Sequence, residues 1–266
     1  MNGPVVVGVD GTSAGLDAVE AAARQAERRG AELRLTHALT WPSRRVPAGV
    51  APWDPDGAGA GGRVNQVLSD AEERARGIAP HLAISREVLF GEPETVLGSE
   101  ARAACLAVVG GHRVNGTRGR LRGSVAGRLT AHVDCPVLVV GGGHTRTGPV
   151  VLAADQHTAA DAAEFAFAEA AERGADLVVL RTRRGGGTPV GVLAGLRERY
   201  PHVAVRTAAV RGRHHRALLE ASSDAQLVVV AVRRRSGRAA LVSGSDGRSM
   251  LWDARCPVAL VPSTGR

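Results

Sequence analysis

The stretch beginning at Pro4, PVVVGVDGTSAGLDAVEAAARQAERRGAELRLTHA, returns from Pro149 as PVVLAADQHTAADAAEFAFAEAAERGADLVVLRT with one gap. Further along, CLAVVGGHRVNGTRGRLRGSVAGRLTAHVDCPVLVV from Cys105 matches QLVVVAVRRRSGRAALVSGSDGRSMLWDARCPVALV from Gln226 with none, so Cys135-Pro136-Val137 and Cys256-Pro257-Val258 fall in register. A duplication constrains the fold more than any single motif, because each half repeats one structural unit. The sequence is read as two tandem domains, 1–142 and 149–266, joined by the Gly-rich GGGHTRTG from Gly141 to Gly148. At 266 residues, each half is long enough to bury its own core.

Within each copy, short β-branched runs alternate with Ala-rich stretches of helical period, the pattern of βαβ units on an open parallel sheet. Five strands are expected in the first copy: Pro4 to Val9, Glu32 to Leu39, His81 to Phe90, Cys105 to Gly110 and Pro136 to Val140. Helices are expected over Ala14 to Arg29, Arg63 to Ala79, Pro93 to Ala103 and Ser124 to His132, where apolar residues recur at three- and four-residue spacing. The fold class is therefore α/β, two tandem Rossmann-like domains, each an open five-stranded parallel sheet flanked by helices. The copies differ chiefly after their second strand, where the first inserts WPSRRVPAGVAPWDPDGAGAGG, the composition of a surface loop.

Gly11-Thr12-Ser13-Ala14-Gly15 spells the G-x-S-x-G of a nucleophile elbow. An elbow needs a sheet already assembled around it and an oxyanion loop from earlier in the chain, yet only one strand precedes Ser13. The second copy has DQHTAA at that place, with no Ser opposite. Thr12 or Ser13 is better read as the cap of the first helix, accepting from its free N–H groups. No catalytic residue is assigned.

Asp10 is kept where Ser13 is not, since Asp155 ends the matching strand of the second copy. A carboxylate at the C-terminal edge of a central parallel strand stands where open α/β sheets bind ligands, beside the switch point; the alternative is that it only caps the turn. Gly8 and Gly11 are read as leaving room for a ligand to approach the backbone. The other loop on that edge runs Gly110-Gly111-His112-Arg113, then nine residues, then Gly123-Ser124 opening a helix. Glycines let a phosphate reach backbone N–H groups, and a helix N-terminus adds free donors and a favourable dipole.

The strand VVVGVDGT, the loop from Gly110 to Ser124 followed by Val125, and the closing CPVLVV together resemble the universal stress protein family, over nearly the whole chain as a tandem pair. The resemblance implies a stress-response regulatory protein that binds ATP, with or without Mg2+, or a related adenine nucleotide. It implies that Asp10 contacts the nucleoside, that the backbone of Ala38, after His37, meets adenine, and that Val109, Gly110, Arg113, Gly123, Ser124 and Val125 belong to the nucleotide loop. One position departs from the family's G-x-x-G: Arg113 replaces the second Gly, and it either obstructs a close backbone approach or clamps a phosphate through its guanidinium. The second copy departs further. Ala231 and Arg234 replace both glycines and Asp246 stands where Val125 does, leaving Asp155, Gly244 and Ser245 as remnants of a site. The resemblance also implies that the closing strands, Pro136 to Val140 and Pro257 to Val261, pair within the chain about a pseudo-two-fold axis, and that whole chains form a homodimer. The competing reading is an interaction or scaffold protein of the same fold that binds no nucleotide, its loops retained for packing. Enzymatic activity is at most slow ATP hydrolysis, because no base or metal is apparent beyond Asp10.

Composition narrows the alternatives. The net charge of +8 rests on 34 Arg and no Lys, a bias that Ala- and Gly-rich composition accompanies. Aromatics, 3% of the chain, are too scarce for a base-stacking platform, so nucleic acid is not expected as a partner. Cys105, Cys135 and Cys256 are widely spaced and lie in apolar runs, which suits packing and neither a disulfide framework nor zinc. His214-His215 lack ligand spacing, since adjacent residues on a helix face different ways, and no metal site is expected. The fingerprint of NAD- and FAD-binding folds is absent from GVDGTSAG. No run has the length of a membrane span and no signal peptide pattern opens the chain, so a cytoplasmic location and no membrane partner are expected. Any protein partner is left unnamed.

Overall fold

The computed structural model describes residues 3–40, 60–111, 125–141, 147–154, 160–182, 190–210, 214–233 and 253–263. They divide between two compact units, Met1–Gly110 and Gly111–Arg266.

In the first unit, strands β1 (Val5–Gly8), β2 (Leu33–Leu39), β3 (Ile84–Phe90) and β4 (Leu106–Gly110) are all parallel and lie in the order β3-β2-β1-β4. Helices α1 (Ser13–Arg29), α2 (Ala60–Ile78) and α3 (Pro93–Glu100) make the crossovers. Burial follows position in the sheet. Val5, Val6 and Val7 of β1 and Leu106 to Val109 of β4 are buried throughout, as in strands covered on both faces. On β3 exposure alternates, and Val88 and Phe90 are 40% and 61% exposed.

Helix α1 shows how the sequence sets such an element. Ala18, Ala22 and Ala26, with Val19 and Ala23, form one buried stripe at four-residue spacing. Thr12 caps the N-terminus, its side chain accepting from Gly15 N, and Gly30 ends the helix with φ 59°, its N–H reaching the carbonyls of Ala26 and Glu27. Arg28 and Arg29 sit in the last turn, where cations offset the helix dipole.

The second unit contains α4 (Val125–His132), β5 (Val137–Val140), β6 (Val150–Ala154), α5 (Ala160–Arg173), β7 (Leu177–Thr182), α6 (Val190–Arg199), β8 (Val205–Val210), α7 (His214–Ala221), β9 (Leu227–Arg233) and β10 (Val258–Ser263). Its strand order is β5-β10-β9-β6-β7-β8. All neighbours are parallel except β5 and β10, which run antiparallel with Val137 opposite Leu260, Leu138 opposite Ala259 and Val139 opposite Val258.

The duplication is visible bond by bond. Val5 N donates to Glu32 O and Val150 N to Asp176 O, both at 2.8 Å; Leu33 N donates to Ala83 O and Leu177 N to Ala204 O, both at 2.9 Å. Cys105 N reaches Pro4 O at 3.0 Å, and Gln226 N reaches Pro149 O at 3.1 Å. The repeated helix ends at Gly30 in one copy and Gly174 in the other, with φ of 59° and 60°.

Three boundaries differ from the sequence reading by three residues, the others by two at most. Helix α2 begins at Ala60 rather than Arg63 and so includes Gly61 and Gly62, residues of poor intrinsic propensity. Helix α3 stops at Glu100 rather than Ala103, because Arg102, Ala103 and Ala104 N–H groups bond three residues back and tighten the chain into a turn. Strand β3 begins at Ile84 rather than His81, after a turn in which Leu82 N donates to Ala79 O.

Candidate functional site

Because β1, β2 and β4 are parallel and adjacent, their C-terminal ends bring Asp10, Ala38 and Gly110 to one edge of the first unit's sheet. This is the edge at which open α/β sheets hold ligands. The start of α1 is packed into it. Asp10 Oδ1 accepts from Thr12 N at 2.9 Å and from Thr12 Oγ1 at 2.6 Å, and Thr12 Oγ1 in turn accepts from Gly15 N at 3.1 Å. The carboxylate thus fixes the turn that launches the helix, while remaining exposed to solvent. Of the two candidate caps, Thr12 makes the bond; Ser13 is the exposed first residue of α1.

Gly110 meets the same turn from the other side. A Cβ there would lie 2.7 Å from Ala14 O, 2.9 Å from Ala14 C and 3.2 Å from Gly15 N. Real Cβ atoms do not approach backbone that closely, so β4 passes beneath α1 only because residue 110 has no side chain. Asp10 and Gly110 therefore both pack against the start of α1, Asp10 at Thr12 and Gly110 at the Ala14–Gly15 backbone. Val109, adjacent to Gly110, is buried.

Beside them, His37 Nδ1 lies 2.8 Å from Val9 O. A carbonyl only accepts, so Nδ1 carries the proton, and in the neutral ring Nε2 is left as an acceptor. The bond locks the side chain of β2 to the residue before Asp10. Ala38 follows, half-buried and paired with Leu89 of β3.

The reading of Gly8 and Gly11 as room for a ligand is corrected. The space beside Gly8 is filled by Leu97 of α3, whose Cδ1 would be 2.7 Å from a Cβ. Gly11 has φ 77° and faces Val67 of α2 at 3.0 Å, so its role is the turn itself.

Val125 opens α4 in the second unit. Arg113, Gly123 and Ser124 lie outside the described residues, as do Asp155, Gly244 and Ser245.

The second repeat differs at the counterpart of Gly110. Strand β4 ends at Gly110, whereas β9 runs on through the equivalent Ala231 to Val232 and Arg233, pairing with Val261, Pro262 and Ser263 of β10. Val232, opposite Gly111 in the alignment, is buried. Gly111 N still donates to Val140 O at 2.7 Å, so the two repeats differ here in side chains, two glycines against Ala231 and the buried Val232.

The sequence reading missed a polar cluster behind each sheet. Gln25 is buried on α1 and accepts from Arg29 Nε at 2.9 Å; on α5 the equivalent Glu169 accepts from Arg173. The signal was present as Q-x-x-x-R and E-x-x-x-R on otherwise apolar helix faces. Burial raises the Cys105 thiol, against the opposing charge of Arg29, and pushes the Cys256 thiol up to about 12. All three cysteines are buried and none is in a disulfide. Among the described residues, no group of three or more His, Cys, Asp or Glu is placed to hold a metal ion, and no helix is long and apolar enough to cross a membrane.

Residues 1–141 and 190–262 match the universal stress protein family. A universal stress protein of Mycobacterium tuberculosis is 33% identical over 285 residues, an alignment covering 96% of this chain and 94% of the relative. One from Mycolicibacterium smegmatis is 31% identical over 287 residues, covering 97% and 96%. The crystal structure of a universal stress protein from Archaeoglobus fulgidus superposes with a TM-score of 0.72 over 98% of this chain and 97% of its own, at 15% identity, a likeness of fold.

Proposed function

The chain belongs to the universal stress protein family, and from that premise we propose that it is a stress-response regulatory protein whose first repeat binds ATP or a related adenine nucleotide. One observation carries the reading: Asp10 and Gly110, far apart in sequence, both close on the start of α1 at the C-terminal edge of the sheet, Asp10 through Thr12 and Gly110 through the Ala14–Gly15 backbone. In this reading the domains are 1–142 and 149–266. Asp10 and the Ala38 backbone take the nucleoside, and Val109, Gly110, Arg113, Gly123, Ser124 and Val125 take the phosphates. A Mg2+ accompanying the ATP would neutralise charge on its phosphates. The protein works in the cytoplasm, as a homodimer with an unidentified protein partner.

The second repeat is proposed to bind nucleotide weakly or not at all. Replacement of Gly110 and Gly111 by Ala231 and the buried Val232 supports this, because side chains there obstruct the close backbone approach that glycines allow a phosphate. Asp246 adds a like charge beside Gly244 and Ser245.

Mass spectrometry of the supernatant from denatured protein, purified without added nucleotide, and calorimetric titration with ATP test the proposal. Co-purified adenine nucleotide or a saturable isotherm, weakened by Asp10→Ala, is the expected result. A chain that yields no nucleotide by either route is instead the non-binding interaction protein that Arg113 favours.

A further inference from the structure

We propose that Gly15 and Thr12 are positioning residues for Asp10 and together decide which of its carboxylate oxygens a ligand meets; the inference rests on the nucleotide reading above. Oδ1 is already occupied. It accepts from Thr12 N at 2.9 Å and from the Thr12 hydroxyl at 2.6 Å, and that hydroxyl is itself oriented by Gly15 N at 3.1 Å. The donor hydrogen of Thr12 Oγ1 therefore points to Asp10 and its lone pair to the helix.

The steric constraint is independent of those bonds. A Cβ added at Gly15 would collide with Asp10 Oδ1 and lie 3.4 Å from Thr12 Oγ1. Residue 15 is buried in the first turn of α1, where Ala has the better helix propensity. Glycine there gives the carboxylate a seat against the helix backbone. Counted back from the shared helix end, Gly15 stands as far before Gly30 as Ala159 stands before Gly174, so the second repeat carries a methyl group at this position of the sequence.

With Oδ1 held, Oδ2 is the oxygen left for a ligand: Asp10 is exposed, and among the described residues nothing donates to Oδ2. A single anionic acceptor takes an O–H or N–H donor and repels phosphate. Thr12 and Gly15 thus govern recognition of the nucleoside portion of the ligand and leave the phosphate portion unaffected.

The full-length wild-type chain, Gly15→Ala, Thr12→Val and Thr12→Ser are titrated calorimetrically with ATP, with adenosine and with inorganic triphosphate, alongside far-ultraviolet circular dichroism. Gly15→Ala and Thr12→Val are expected to weaken ATP and adenosine about tenfold, the loss of one hydrogen bond to a charged group. Triphosphate affinity and helix content stay at the wild-type level, and Thr12→Ser restores adenosine binding. If both variants lose adenosine and triphosphate affinity equally, or lose neither, the residues serve only the helix and the positioning role is overturned. Wild-type protein that binds none of the three overturns the nucleotide reading and this inference with it.

Discussion

Glu169 and Arg173, one turn apart on α5, form a doubly bonded ion pair in which Arg173 Nε and Nη2 reach Glu169 Oε2 at 3.0 and 2.8 Å while the Glu169 side chain is fully buried. Arg173 Nη1 also meets Gln226 Oε1 at 3.4 Å, and Gln226 Nε2 donates to Gly148 O at 2.7 Å, tying the pair to the start of the second repeat. Gln25 and Arg29 occupy the same helical positions in the first repeat. Glu169→Ala is expected to destabilise the protein by about 3 kcal/mol, because it strands a guanidinium in the interior. Glu169→Gln, which installs the first repeat's own solution, should cost about 1 kcal/mol. Urea unfolding at neutral pH distinguishes the two.

Alkaline stability should be dominated by few groups. With 34 Arg, no Lys and one Tyr, little titrates above neutrality except the thiols. Burial holds the folded Cys256 thiol neutral up to about 12, against 9.0 for the ordinary thiol. Between those values the unfolded state has lost a proton that the folded state keeps, so stability falls as pH rises, by up to about 1.4 kcal/mol per pH unit from this thiol. Cys256→Ala is expected to lower stability at pH 7 by about 1 kcal/mol and to flatten the decline above pH 9, as read from unfolding midpoints between pH 7 and 10.5.

At the acid end, Glu72 behaves in the opposite sense. Burial raises its carboxyl, but hydrogen bonds from Arg76 at 2.8 Å and Arg86 at 2.5 Å outweigh that and leave it below the ordinary 4.5. Its contribution is present above pH 4.5 and is lost as pH falls through the depressed folded value. Glu72→Gln should change stability at pH 7 by less than about 1 kcal/mol, since the arginines are partly exposed. It should make the acid limb below pH 4.5 measurably shallower in a pH-dependent melt.

Two glycine substitutions should move stability in opposite directions. Gly98 lies within α3 with nothing inside 4 Å of a Cβ, so Gly98→Ala is expected to stabilise by about 0.5 to 1 kcal/mol. Gly110→Ala forces its methyl against the Ala14 carbonyl and should destabilise by about 1 to 3 kcal/mol. Thermal melts of the two variants beside the wild type give the sign of each.

Most of the fold was legible because its signals are local and doubled. Val-rich runs such as 5–7 and 106–109 can only be strands covered on both faces, and each helix pattern could be checked against its copy. What failed was set by tertiary contact. Gly61 and Gly62 are helical despite their propensities, and no periodicity marks the turn after Glu100. At the site, the sequence named Asp10 and Gly110 but weighed turn and ligand roles for Asp10 as alternatives. The structure gives the turn one oxygen, and among the described residues nothing donates to the other. Gly8 was misread because its neighbour, Leu97, is almost ninety positions away in the chain. Nothing in the spacing of G-x-S-x-G reveals that its last glycine seats the carboxylate five residues earlier.

The ladder between β5 and β10 joins the last strand of one repeat to the last strand of the other inside a single polypeptide. Association of these strands is therefore a first-order event, independent of protein concentration. In an assembly of identical chains every substitution is made twice and must suit both sides of the axis. Here Val139 and Val258, or Leu138 and Ala259, are encoded separately. Covalent fusion frees each repeat to change without its twin, which is how Gln25 and Glu169, or Gly110 and Ala231, come to differ between two copies of one unit.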